Sequence, residues 1–375
     1  MGEVRRLLIW FVYLALSCFA WTNFLEAKPR LHADRYSRLA EAWAPIFFKA
    51  YAPEFNKNTD SFNPVDHPVS LFFDGNEDLR DNSANIFRLS ELQIKSALTH
   101  IPIYYSVIET ESHFYINYFI YHALDMNLQS HAHDTENVWT IIKKNPKAVF
   151  GELVGHITNA HGHPMIYLKD SAKQSLWRAK VTGQWSTQFL FSMDRGAELH
   201  HLDSPIEYFE EGQVQRLIGF VASRTHAIYK FRSEAWLRGA SYGAVYYPKN
   251  CQACSSDLKW TFPSTKAFGY EMVSWDNLMR SRNSNEQIFY HTAESAEVKS
   301  AAALPEFLVP GFDEELPKVN LFYQAGFKTP YRLNDPANVH RWFESSEESA
   351  SVSKRYLYNP YRRRSLASKS IWSTW

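Results

Sequence analysis

The chain has 375 residues, enough for one large domain with insertions or for two smaller ones. Forty Lys and Arg balance forty Asp and Glu, which excludes the strongly basic surface of most nucleic-acid binders. A hydrophobic content of 45% against 21% charged residues excludes disorder, and the 16% aromatic content favours pleated sheet over helical bundles.

In chain order, Arg5 and Arg6 precede an apolar run from Leu7 to Ala20 that is short for a bilayer span. This predicts a secretory signal over residues 1–27, cleaved after Ala20 or Ala27, with an uncleaved anchor as the alternative. Export implies a periplasmic or extracellular location. The absence of any Asn-x-Ser/Thr sequon points to a bacterial source. Loss of the signal removes Cys18 and leaves Cys251 and Cys254 in Asn-Cys-Gln-Ala-Cys. Two cysteines in an oxidising compartment suggest a small-loop disulfide, a redox pair or free thiols being the alternatives. A zinc site needs two further ligands, and no second CxxC or nearby His pair follows.

From Leu31 to Tyr51, Leu39, Ala42, Trp43 and Phe47 fall at helical spacing and predict one amphipathic helix that stops at Pro53. Asn56 to Asn85 is rich in Asn, Asp and Pro and reads as a long loop; its acidic stretch from Asp74 fails the calcium-loop pattern at Leu79 and Asn85. Runs rich in Tyr, Ile, Val and Phe then recur every ten or so residues: 101–108, 113–121, 138–142, 149–158 and 165–168, followed by 185–192, 217–222 and 242–247. The fold class is therefore mainly β, an antiparallel β-sandwich with an N-terminal helix and helical or loop insertions. Residues 28–343 form this metal-binding domain. Residues 344–375 form a Ser/Glu-rich linker and a basic, aromatic tail, which either touches an anionic surface or packs onto its own domain.

Seven of the fifteen histidines lie between His113 and His163, densest around His131-Ala-His133-Asp134-Thr-Glu136-Asn137. On a strand, His131 and His133 share one face while Asp134 and Glu136 share the other. Carboxylates with one imidazole suit Mg²⁺, Ca²⁺ or Mn²⁺ when water completes the shell, and Zn²⁺ or Fe²⁺ when two imidazoles take part. A polar turn whose side chains bond the backbone is the structural alternative. The metallo-β-lactamase pattern fails at Thr135 and Glu136, and an amidohydrolase barrel lacks its alternation of strands and helices.

The stretch His131 to Val138 resembles the G-H-R-H-D-W-E-N motif of the secreted necrosis-inducing, ethylene-inducing peptide-like proteins. Tyr118 to Asp125 is similar to the aromatic strand leading into that motif. Ser130 and Thr135 stand where the family has Gly and Trp, and a broader group of vacuolar-sorting-type sandwich proteins fits the permissive motif equally well. The resemblance implies a β-sandwich that holds a divalent cation through Asp125, His131, Asp134 and Glu136 and docks on membrane sphingolipid headgroups. In such relatives a second strand ends in His; His161 and His226 are the two candidates here.

Three functions follow as expectations. The first is an exported divalent-metal-binding protein that recognises a glycan or lipid headgroup at a membrane or cell surface. The second is a metal-dependent hydrolase using His133 or His161 as general acid or base. The third is an envelope protein whose polar cluster is only structural. Oligomeric state is left open, and no nucleic-acid partner is expected.

Overall fold

The computed structural model describes residues 35–51, 64–75, 81–89, 100–125, 131–160, 163–170, 194, 206–239, 243–261, 265–275, 336–344 and 346–359. The expected signal segment, the expected strand at 185–192, His161 and residues 360–375 lie outside them. The chain is mainly β, as its composition predicts, with few helices among the described residues.

A helix over residues 35–43 opens this part of the chain. Tyr36, Leu39, Ala40 and Trp43 recur at three- and four-residue intervals and bury one stripe. The indole of Trp43 donates to the Phe150 carbonyl at 3.0 Å. The helix is shorter than its hydrophobic period suggested: Pro45 disfavours helical backbone at Ala44, and Ile46–Ala50 becomes strand β1. Phe47 therefore belongs to a strand, where it meets Tyr270 across the interior.

The other strands are β2 (Ile101–Thr110), β3 (His113–Asp125), β4 (His131–Lys143), β5 (Glu152–Ala160), β6 (His163–Leu168), β7 (Tyr208–Glu211), β8 (Val214–Val221), β9 (Ile228–Lys230), β10 (Gly243–Pro248), β11 (Lys266–Ser274) and β12 (Tyr356–Tyr358). They follow one path, β6-β5-β4-β3-β2-β11-β10-β1-β8-β7, with β12 added to β2 and β9 to β8. From β6 to β2 the path is an antiparallel meander. Three pairings, β2 with β11, β11 with β10 and β1 with β8, are parallel, so the sheet is mixed rather than uniformly antiparallel.

The sheet curls until its ends meet. Thr158 Oγ1 on β5 donates to the Ile228 carbonyl on β9 at 2.5 Å, and the Lys230 amide donates to the Tyr167 hydroxyl of β6 at 3.1 Å. One apolar cluster joins β1, β2, β3, β4, β8, β10 and β11 with the helix at 35–43 and fills the curl. A second covers the opposite face of β2 to β5 and includes Val65, Ile86, Ala337 and Val352. Strand β3 feeds both, with Phe114, Ile116, Tyr118 and Ile120 in one and Tyr115, Phe119, Tyr121 and Ala123 in the other. Burial on both faces explains its near-continuous apolar sequence.

Cys251 and Cys254 are joined in a disulfide at the start of the helix Gln252–Thr261 and are buried in a third cluster with Phe231 and Trp236. At the C-terminal end, Tyr356 and Tyr358 pair with Thr110 and Glu109, and Tyr358 stacks on Tyr36 with ring centroids 4.5 Å apart.

Candidate metal site

The hairpin of β3 and β4 sets His122 opposite Asp134 and Ile120 opposite Glu136. Side chains two apart share a face, so His122, Asp134 and Glu136 all project from the same side of the hairpin. The turn between β8 and β9 meets them there with His226. That turn holds Arg224 at φ 68° and His226 at φ 57°, a left-handed backbone that bulky side chains rarely adopt. It is closed by the Ala222 amide on the Ala227 carbonyl at 3.0 Å, and Thr225 Oγ1 donates to Asp194 at 2.5 Å. Two non-glycine residues in that region cost on the order of 1–3 kcal/mol each, a pattern that gathers at binding and catalytic sites.

Ligand atoms of His122, Asp134 and His226 lie within 4.8 Å of one another, and all three residues are buried. Asp134 Oδ2 accepts from His226 Nδ1 at 2.6 Å. The two imidazoles stack with centroids 3.6 Å apart and planes 5° from parallel. Neither ring nitrogen of His122 finds a hydrogen-bond partner among the described residues, nor does Oε2 of Glu136. A buried polar atom left unpaired costs about 1–3 kcal/mol, and such atoms are uncommon in native cores. A cation held by His122, Asp134 and His226 would engage one of the two His122 nitrogens, and the residues present fit such an ion.

The electrostatics are acidic. Burial, then the charges of Asp134, Asp194 and Asp125, push the Glu136 carboxyl well above the usual range. Burial, then the neighbouring His226 and Lys49, holds His122 neutral, its pKa well below the ordinary imidazole value. Burial and Lys49 act against a charge on His226, but the hydrogen bond to Asp134 and the nearby Asp66 carboxylate, 3.6 Å from Nε2, outweigh them and raise its pKa. Burial works against ionisation of Asp66 too, yet Lys49 and His226 keep its carboxyl ionised, well below the ordinary range. Lys49, also buried, donates to Asp66 Oδ1 at 3.2 Å and to the carbonyls of Ala222 at 2.6 Å and Ala50 at 3.0 Å. Tyr229 donates to Asp194. Asp66, Asp134 and Asp194 thus act on Lys49, Asp66 and Asp134 on His226, and Asp134, Asp194 and Asp125 on Glu136; a divalent ion would offset this concentration of carboxylates.

Of the residues expected from the sequence, Asp134 and the second-strand candidate His226 enter the group. Asp125 and Glu136 are buried close enough to interact electrostatically but are not in it. The backbones of His131 and His133 lie on β4, while their side chains are outside the described residues, as is His161. Sequence reasoning missed His122, Asp66 and Lys49. A signal for His122 existed: a tight hairpin pairing Asp125 with His131 also sets residue 122 across from 134.

No family model matches the chain, and no curated protein matches it. Two solved structures resemble parts of it. The crystal structure of the non-toxic HaNLP3 protein is 26% identical over 20% of this chain and 35% of that one, with a TM-score of 0.17. A structure described as a toxin fold for microbial attack and plant defense is 13% identical over 53% of this chain and 69% of that one, with a TM-score of 0.26.

Proposed function

We propose that the protein is an exported β protein that holds one divalent cation among His122, Asp134 and His226 and uses it to recognise the hydroxyls of a glycan or the polar headgroup of a lipid at a cell surface. The observation that carries this reading is the buried imidazole of His122, with no partner among the described residues, beside Asp134 and His226 in an acid-rich interior. Three protein donors leave further coordination positions for water or ligand oxygens, which hydroxyl-bearing headgroups supply. The resemblance of residues 131–138 to a headgroup-docking motif agrees with that use. Export is supported by the Arg5-Arg6 apolar segment and by the disulfide, which persists in oxidising compartments.

The test is elemental analysis of the purified mature chain, followed by sedimentation with sphingolipid-containing vesicles and by glycan-array binding, each with and without chelator. One equivalent of metal and chelator-sensitive binding are expected. A chain without stoichiometric metal that stays metal-free after incubation with divalent salts removes the cation site. A loaded chain that ignores both vesicles and glycans removes the headgroup function.

A further inference from the structure

The donors that converge here are unlike those of an all-oxygen cage. Two of the three grouped residues are histidines, and His122 offers ring nitrogens engaged by no hydrogen bond among the described residues. Several nearby carboxylate oxygens are already committed: Asp194 accepts from Thr225 and Tyr229, and Asp66 Oδ1 accepts from Lys49 and from the Arg224 amide at 2.7 Å. Among the described residues, Asp134 is the carboxylate grouped with both imidazoles. Ca²⁺ and Mg²⁺ bind oxygen and make little use of imidazole, whereas Mn²⁺, Fe²⁺, Co²⁺ and Zn²⁺ accept nitrogen with oxygen.

The ring of His226 is also backed in a particular way. Nδ1 faces Asp134 at 2.6 Å, and Nε2 has Asp66 Oδ1 3.6 Å away. A carboxylate behind a ligating imidazole fixes ring orientation and raises donor basicity. Asp66 is in turn pinned by Lys49, whose ammonium ties β1 to the β8–β9 turn through the Ala222 carbonyl.

We propose that the site selects a transition-metal dication of the Mn²⁺, Fe²⁺, Co²⁺ and Zn²⁺ class over Ca²⁺ and Mg²⁺, and that Asp66, held by Lys49, is the positioning residue that fixes His226 for it. This deepens the cation-site reading above and rests on it.

The mature chain, stripped with chelator, is titrated separately with Zn²⁺, Mn²⁺, Ca²⁺ and Mg²⁺, and binding is followed by calorimetry and melting. Zn²⁺ and Mn²⁺ are expected at one equivalent with Kd at least about tenfold below that of Ca²⁺ or Mg²⁺. His122→Gln should abolish that preference, and Asp66→Asn should weaken Zn²⁺ binding by about 10- to 100-fold. Because Asp66→Asn alone strands a buried ammonium, the double variant Lys49→Met/Asp66→Asn is measured beside it and should show the same loss. Co²⁺ added to the unaltered chain should give a visible absorption band that Zn²⁺ displaces, a readout that needs no variant. Ca²⁺ or Mg²⁺ binding as tightly as Zn²⁺ overturns the selectivity and leaves the cation site standing. Unaltered Zn²⁺ affinity in the double variant overturns the role of Asp66. Failure of all four ions to bind overturns this proposal together with the cation site.

Discussion

The rings of His122 and His226 lie face to face, 3.6 Å between centroids and 5° from parallel, although one comes from near the end of an apolar strand and the other from a left-handed turn. Two imidazoles in that contact tolerate one positive charge between them, and Asp134 assigns it to His226 by accepting from its Nδ1 at 2.6 Å.

Asp134→Ala should therefore lower stability even in the stripped chain, by about 1.5–3 kcal/mol, since a charge-assisted hydrogen bond to a buried imidazole is lost. It should also erase the gain from added metal, which in the unaltered chain amounts to about 2.7 kcal/mol at a hundredfold excess over Kd. Denaturant unfolding with and without ion separates the two effects. A variant that still gains the full increment from metal would exclude Asp134 as a ligand.

Gly243 on β10 pairs with Ala50, next to Lys49. A Cβ there would collide with the Trp236 ring and come within 2.6 Å of the Lys49 carbonyl. Gly243→Ala should cost about 1–3 kcal/mol through overpacking, and because Lys49 braces Asp66 it should weaken metal binding as well. Calorimetry of the refolded variant against the unaltered chain tests this, and unchanged stability would show that β1 gives way freely.

His156 and His113 contribute to the acid side of the stability curve. Burial lowers the pKa of His156 to about 3; burial, then repulsion from His340, Lys143 and Lys144, lowers His113 likewise to about 3. The unfolded chain protonates these rings near pH 6.5, the folded chain only near pH 3, so the unfolded state binds more protons across that window. Stability should fall as pH drops below about 6.5, with a slope approaching 1.4 kcal/mol per pH unit for each residue. His156→Asn should flatten the slope measured between pH 7 and 4. An identical slope in the variant would mean that His156 takes up its proton in the folded state too.

The Cys251–Cys254 bridge closes a very short loop and should contribute about 2 kcal/mol. Alkylation without reductant, followed by mass spectrometry, should label neither residue. The Cys251→Ala/Cys254→Ala chain should unfold at correspondingly lower denaturant, and two labelled thiols in protein from its native compartment would contradict the bridge.

Much of the sheet was legible because β2, β3, β5, β6, β8 and β10 are apolar or aromatic runs bounded by turn residues. Strand β1 was hidden by the helical spacing of Leu39, Trp43 and Phe47, which continues across Pro45 into a strand. Strand β11, with Gly269 and Glu271 in it, carries too little hydrophobic pattern to read, and the parallel pairings it makes leave no local trace. The shared face of Asp134 and Glu136 follows from the pleat alone. Lys49 and Asp66 were illegible because a buried ion pair is specified by three-dimensional neighbours, and Asp66 comes from a segment whose composition reads only as loop.

The closing of the curl also orders events in time. His122 and Asp134 become neighbours as soon as one hairpin forms, but His226 lies 92 residues beyond Asp134 and arrives only when the two ends of the sheet join. An extended chain thus offers no chelate, and the ion has little to hold until that long-range contact has already closed. Its grip then falls on the escape from the native state: metal should prolong the lifetime of the folded protein, leaving the rate of reaching it nearly unchanged.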